Sequence, residues 1–182
     1  MHPQTPENLC ILLIDVQERL CSAMDKTILD QNVQNMLHLL KLAELFSIPI
    51  LATEQYPKGL GRTLPELSAA IPNWQPIEKT HFSCCGASEF RDRLNATGRN
   101  TFVAMGMETH ICVLQTVRDL SQTHRVIVPA DAVLSRRKLA WKTGLDLCER
   151  AGAEVSVTET ILFGALGQAG TDEFRAISRR LR

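Results

Sequence analysis

Asp15, Lys79 and Cys112 are the side chains of this sequence whose chemistry and placement combine into a reactive set. Cys112 lies in Met-Gly-Met-Glu-Thr-His-Ile-Cys-Val, where a strand gives way to a helix. In a first helical turn, unpaired N–H groups and the positive dipole end favour thiolate over thiol. The same donors can hold an oxyanion, and Gly106 permits the tight connection. Asp15 closes Leu-Ile-Asp-Val-Gln, and Lys79 lies in Ile-Glu-Lys-Thr-His-Phe-Ser. A carboxylate can take a thiol proton and later return it, while an ammonium neutralises and orients that carboxylate. Taken singly, each residue has an ordinary reading: a packed cysteine, a turn-forming aspartate, a solvated lysine. Their shared position after three different strands is what points to a site.

The elements that must position them alternate in type. Leu9 to Val16 reads as a buried strand, followed by helical recurrence from about Asp30 to Ser47 at Val33, Met36, Leu37, Leu40 and Ala43. Ile48 to Thr53 is a second strand, then comes a loop of turn residues, Tyr56-Pro57-Lys58-Gly59-Leu60-Gly61. A short strand from Pro76 to Thr80 precedes a helix from Ser88 to Thr97 that stops at Gly98. Thr101 to Met105 is a strand and Thr109 to Thr123 a helix. Arg125 to Pro129 is a strand, Lys138 to Ala151 a helix, and Glu154 to Val157 a sixth strand. Phe174, Ile177 and Leu181 share one face of a closing amphipathic helix. Strands joined by crossover helices imply an α/β fold with a mostly parallel, roughly six-stranded sheet covered on both faces. In such sheets the functional crevice lies beyond the carboxyl ends of the strands.

Composition narrows the function classes. The chain of 182 residues suits a single domain, 1–182, and no linker or repeat divides it. Lysine and arginine number 20 and acidic residues 20, so the formal charge is zero. That balance lacks the footprint that nucleic acid or an anionic membrane requires. The early apolar run Leu9 to Ile14 is too short for a membrane span or leader core and follows no basic segment. The six cysteines form no Cys-x-x-Cys or zinc spacing, and a chain of this size folds without staples. A cytoplasmic protein with reduced thiols fits these features.

From about Leu9 to Gly170 the sequence resembles the isochorismatase-like cysteine hydrolases, which include nicotinamidases and N-carbamoyl amidohydrolases. The resemblance rests on Ile-Asp-Val-Gln (14–17), Glu-Lys-Thr-His-Phe-Ser (78–83) and Gly-Met-Glu-Thr-His-Ile-Cys-Val-Leu-Gln-Thr (106–116). Thr-Glu-Gln-Tyr-Pro-Lys-Gly-Leu-Gly (53–61) is most similar to the isochorismatase-domain-containing subgroup. The resemblance implies a three-layer α/β/α fold, assembly into dimers or larger homo-oligomers, and a catalytic triad of Asp15, Lys79 and Cys112. It also implies an oxyanion hole from the N–H groups of Glu108 and Cys112, with a cis Met107–Glu108 bond. Nicotinamidases hold a metal through an Asp-x-His segment; here that place reads Glu54-Gln55-Tyr56. No metal or other cofactor is therefore expected. True isochorismatases lack the cysteine, so Cys112 points instead to a small-molecule amide or related C–N bond cleaved through a thioester.

Gln17, Tyr56, Phe82 and His110 are the candidate substrate-binding residues, because they adjoin the reactive set in sequence. Gln17 can bind substrate or pair with backbone. His110 can bind substrate, cap the helix or face a neighbouring subunit. Cys84 and Cys85 read as structural, with a redox or access role as the alternative. Gly59 and Gly61 let the 54–63 loop move over the pocket or merely satisfy its turns. Two readings compete with the hydrolase: a non-catalytic interaction protein, and a thiol-based redox protein using Cys112 without turnover.

Overall fold

The computed structural model describes residues 5–181. Its strands are β1 (Leu9–Ile14), β2 (Ile50–Gln55), β3 (Ile77–Lys79), β4 (Thr101–Met107), β5 (Arg125–Pro129), β6 (Val133–Leu134) and β7 (Glu154–Ser156). The helices are α1 (Glu18–Cys21), α2 (Lys26–Phe46), α3 (Pro57–Leu60), α4 (Pro65–Ser68), α5 (Ser88–Ala96), α6 (Leu114–Leu120), α7 (Lys138–Arg150), α8 (Thr158–Leu166) and α9 (Asp172–Ser178). Every strand pairing in the sheet is parallel, in the order β3-β2-β1-β4-β5-β7, with β6 extending the pairing of β4. The sheet thus has seven strands, one more than the sequence pattern suggests. The two residues of β6 are too few to show a period.

Both faces of the sheet are covered, and β1 shows why a continuous apolar run is required. Leu9, Ile11 and Leu13 pack with α2, α8 and α9 on one side. Cys10, Leu12 and Ile14 pack with α5, α6 and α7 on the other. A parallel strand buried on both faces loses the polar alternation of a surface strand. The result is a three-layer α/β/α fold. No helix among the described residues is long and apolar enough to cross a membrane.

Several boundaries moved for local reasons. Helix α2 begins at Lys26 rather than about Asp30, because the Asp25 carboxylate accepts the Ile28 N–H at 3.0 Å and caps it. Residues 57–60, where turn composition suggested loop alone, form a short helix started by proline, as do residues 65–68. The helix expected from Thr109 splits into a π-helical turn, Thr109–Val113, followed by α6. Sequence reading also lacked α8, which is apolar around most of its surface and so has little helical period.

The strand order reverses direction at β1 and β4, the central pair, and Gly106 holds them together. With φ at +123°, a Cβ there would sit 2.1 Å from the Ile14 carbonyl oxygen, so only glycine fits. This switch point lies where Asp15 leaves β1 and Glu108 leaves β4.

Burial also sets a pH limit on the fold. Cys10, Cys21, Cys84 and Cys148 are buried, and loss of solvation pushes each thiol up to about 12 from an ordinary 9.0. The unfolded chain therefore gives up these protons first, so their stabilisation is complete below about pH 9 and declines as pH rises toward 12. Urea denaturation should show a steep loss of stability between these limits. A flat profile above pH 9 would contradict the buried placement of these thiols.

Candidate active site

Asp15 follows β1 in the left-handed region, at φ 51°. Both its carboxylate oxygens are engaged. Oδ1 accepts the Thr53 hydroxyl at 2.7 Å, and Oδ2 lies 2.6 Å from Lys79 Nζ. The two side chains of this ion pair are 0% exposed. Lys79 Nζ also donates to Gln55 Oε1 at 2.7 Å and faces the carbonyls of Phe82 and His81 at 3.1 and 3.2 Å. Burial by itself would lower the Lys79 pKa, but the Asp15 charge, the nearby thiols and the Asp15 hydrogen bond outweigh it and raise it.

Parallel register delivers these partners. Gln55 stands opposite Lys79 and Thr53 opposite Ile14, one residue before Asp15. The Gln55 amide is oriented by its own Nε2, which donates to the Thr80 carbonyl at 2.8 Å, leaving Oε1 for the ammonium. Thr53 and Gln55 were absent from the sequence-derived set. The available signal was pairing of adjacent strand ends, which depends on register that a single sequence does not display.

Cys112 reaches the pair from the π-helical turn after β4. The Met107–Glu108 peptide bond is cis. The Glu108 carbonyl accepts N–H groups of Ile111 and Val113 at 3.0 and 3.3 Å, closing the turn. Thr116 Oγ1 donates to the Cys112 carbonyl at 2.7 Å and accepts the Cys84 N–H at 3.0 Å. The Cys112 side chain is buried, and Asp15, Lys79 and Cys84 are the charged or titratable groups that bear on its thiol. Burial first, and then the Asp15 charge, hold this thiol far above its ordinary range, with Lys79 opposing. The expected preference for thiolate is therefore corrected: burial and the adjacent Asp15 favour the thiol. A first-turn dipole is too small to offset desolvation next to an anion.

Glu108 presents its backbone at the switch point while its buried carboxylate is anchored elsewhere. It accepts from Arg136 N–H at 3.0 Å and Nε at 3.1 Å, and Nη2 lies 3.1 Å away. Arg136 carries no motif, so sequence reading missed it.

The four substrate-binding candidates separate. Gln17 is 0% exposed and donates to the carbonyls of Gln55 and Gly61 at 3.0 and 2.7 Å. Its Oε1 accepts the Gln55 N–H at 2.7 Å. Gln17 is thus corrected from a substrate contact to a tie between β2 and the 56–62 loop. Tyr56 and Phe82 do come to Lys79: the Tyr56 N–H donates to the Lys79 carbonyl at 2.8 Å, and the Phe82 carbonyl accepts from Nζ. The two residues are 55% and 53% exposed. His110 pairs through Nδ1 with Ser135 Oγ at 3.0 Å. Cys84 is buried, 3.7 Å from Thr53 Oγ1, and Cys85 is half-buried.

The Glu54 carboxylate accepts the N–H and hydroxyl of Thr63 at 2.8 and 3.0 Å and pairs with Arg62 at 2.9 Å. No group of three or more metal-ligating side chains occurs among the described residues.

Residues 9–160 match the isochorismatase domain. The chain belongs to the isochorismatase family. Isochorismatase domain-containing protein 2 of Bos taurus is 34% identical over 179 residues, spanning 97% of this chain and 84% of that protein. The MAR1 ribonuclease structure from Caenorhabditis elegans superposes with a TM-score of 0.89 at 32% identity, covering 97% of this chain and 91% of that one. YcaC from Pseudomonas aeruginosa shares the fold, with a TM-score of 0.91 at 21% identity over 98% and 91% of the respective chains. The family includes hydrolases such as nicotinamidase.

Removing one charge of the buried pair tests its role in the isochorismatase-type fold. Lys79→Met should destabilise by about 3–5 kcal/mol, because it leaves the Asp15 carboxylate buried without a cation. Adding Asp15→Asn should recover much of that loss. Chemical denaturation of the three proteins gives the answer; wild-type stability in Lys79→Met would contradict it.

Proposed function

We propose that the chain is a cysteine-dependent hydrolase of a small-molecule amide or related C–N bond, acting through a thioester. The observation that carries this reading is a buried Cys112 thiol subject to the charge of Asp15, which is itself fully buried and paired with Lys79 at 2.6 Å. In the proposed reaction Cys112 gives its proton to Asp15 as sulfur attacks the carbonyl carbon. The oxyanion rests on the N–H groups of Glu108 and Cys112. Asp15 returns the proton to the leaving nitrogen as the C–N bond breaks, and water then cleaves the thioester. Lys79 keeps its protons throughout. Tyr56 and Phe82 form an apolar rim, and His110 offers its remaining ring nitrogen to a substrate.

The reading extends to one catalytic domain over residues 1–182, no metal or cofactor, a homo-oligomer of two or more chains, and a cytosolic setting. Six unpaired cysteines support that setting. The name of the worm relative motivates one competing substrate, RNA. Zero net charge and a site built for acyl transfer favour the small amide.

A panel of small amides, ureas, carbamoyl compounds and single-stranded RNA tests the assignment. Turnover of one of the C–N substrates, with a mass adduct on Cys112, is the expected result. Cys112→Ser and Asp15→Asn should each reduce that turnover by about 10²-fold or more. Turnover of RNA alone, or turnover that survives Cys112→Ser, would overturn it.

A further inference from the structure

We propose that a cavity lined by none of the Asp15, Lys79 and Cys112 side chains binds a small amphipathic molecule with an apolar body and a neutral or cationic hydrogen-bond-donating head. The cavity holds about 650 Å³, within the range of small-molecule sites, and lies between the start of α2, the 130–136 segment and the first turn of α7. Met24, Ile28, Val133, Trp141 and Val157 supply an apolar wall, and none of Asp15, Lys79 or Cys112 lines it.

Asn32 supplies the polar requirement. It lines the cavity and is only 7% exposed. Its amide nitrogen donates to the Ile28 carbonyl at 3.0 Å, which fixes the orientation of the amide. Oδ1 is then buried with no hydrogen-bond partner among the described residues. A buried acceptor without a donor is costly, and native structures supply one. The Trp141 indole cannot, because its N–H already donates to the Ala130 carbonyl at 3.1 Å.

Charge selects the head group. Asp25, Asp131, Arg136 and Lys138 all line the cavity. Arg136 is paired with Glu108, which leaves two carboxylates against one ammonium and disfavours an anion. An alcohol or amine on a short aliphatic chain meets all three conditions: volume, apolar wall and donor.

Trp141 can report occupancy if the other tryptophan is removed, so the measurement uses the full chain carrying Trp74→Phe. Hexan-1-ol and hexylamine should each give a saturable change in Trp141 fluorescence, and hexanoate none. Asn32→Leu should weaken both by about 10-fold, the equivalent of one lost hydrogen bond. Val157→Phe, at the exposed rim, should block both and serves if Asn32→Leu folds poorly. Three outcomes would overturn the proposal. The first is unchanged affinity in a folded Asn32→Leu, and the second is preference for hexanoate. The third is a dimer that binds no probe and dissociates with Val157→Glu, which would make a second copy the occupant.

Discussion

A buried charge pair at the edge of an apolar sheet is the constraint around which this protein is arranged. Lys79 and Asp15 are fully withdrawn from water, and removing an ion from solvent costs several kcal/mol before any pairing. The cost is offset only where every proton and lone pair of the two ions is satisfied. Hence Gln55, two backbone carbonyls and Thr53 converge on them. The three-residue strand β3 has a clear purpose in this light: its register against β2 places Lys79 beside Gln55. The left-handed Asp15 and the tie from Gln17 to the following loop hold the other side.

The same pair governs the thiol. Burial holds the proton on Cys112, and the charge of the adjacent Asp15 reinforces it. A stored thiolate would need more solvation than this buried site offers, and the Asp15 charge and burial together outweigh the help of Lys79. The proposed chemistry therefore begins with proton transfer to Asp15 at the moment an electrophile arrives, rather than with a preformed nucleophile. Anchoring of Glu108 by Arg136 and of the Cys112 turn by Thr116 confines the reacting groups to rigid elements.

Much of this was legible in the sequence because the strongest signals are local. Asp15, Lys79 and Cys112 each sit at a strand end, and the alternation of elements gives the α/β class and parallel sheet directly. What escaped depends on distant segments. Thr53, Gln55, Thr116 and Arg136 act through register and turn geometry, which one sequence does not encode in any spacing. Gln17 shows the converse: proximity in sequence suggested substrate, while three hydrogen bonds to backbone engage it structurally. Cys112 was placed correctly in a turn, but its protonation state follows from the burial and neighbouring charge that only packing reveals. β6 and α8 lacked a period long or clean enough to read.

The central claim, that Asp15 accepts the Cys112 proton, separates cleanly from a purely electrostatic role by the sign of one rate change. Carbamidomethylation of each cysteine by iodoacetamide can be followed by peptide mass spectrometry in the native protein and in Asp15→Asn, with circular dichroism to verify folding. If Asp15 takes the proton, Cys112 should be the fastest of the six sites and slow by about 10²-fold in Asp15→Asn. If the carboxylate acts only as a negative charge, its removal lowers the thiol pKa, and Cys112 reacts as fast or faster. That second result would contradict the account.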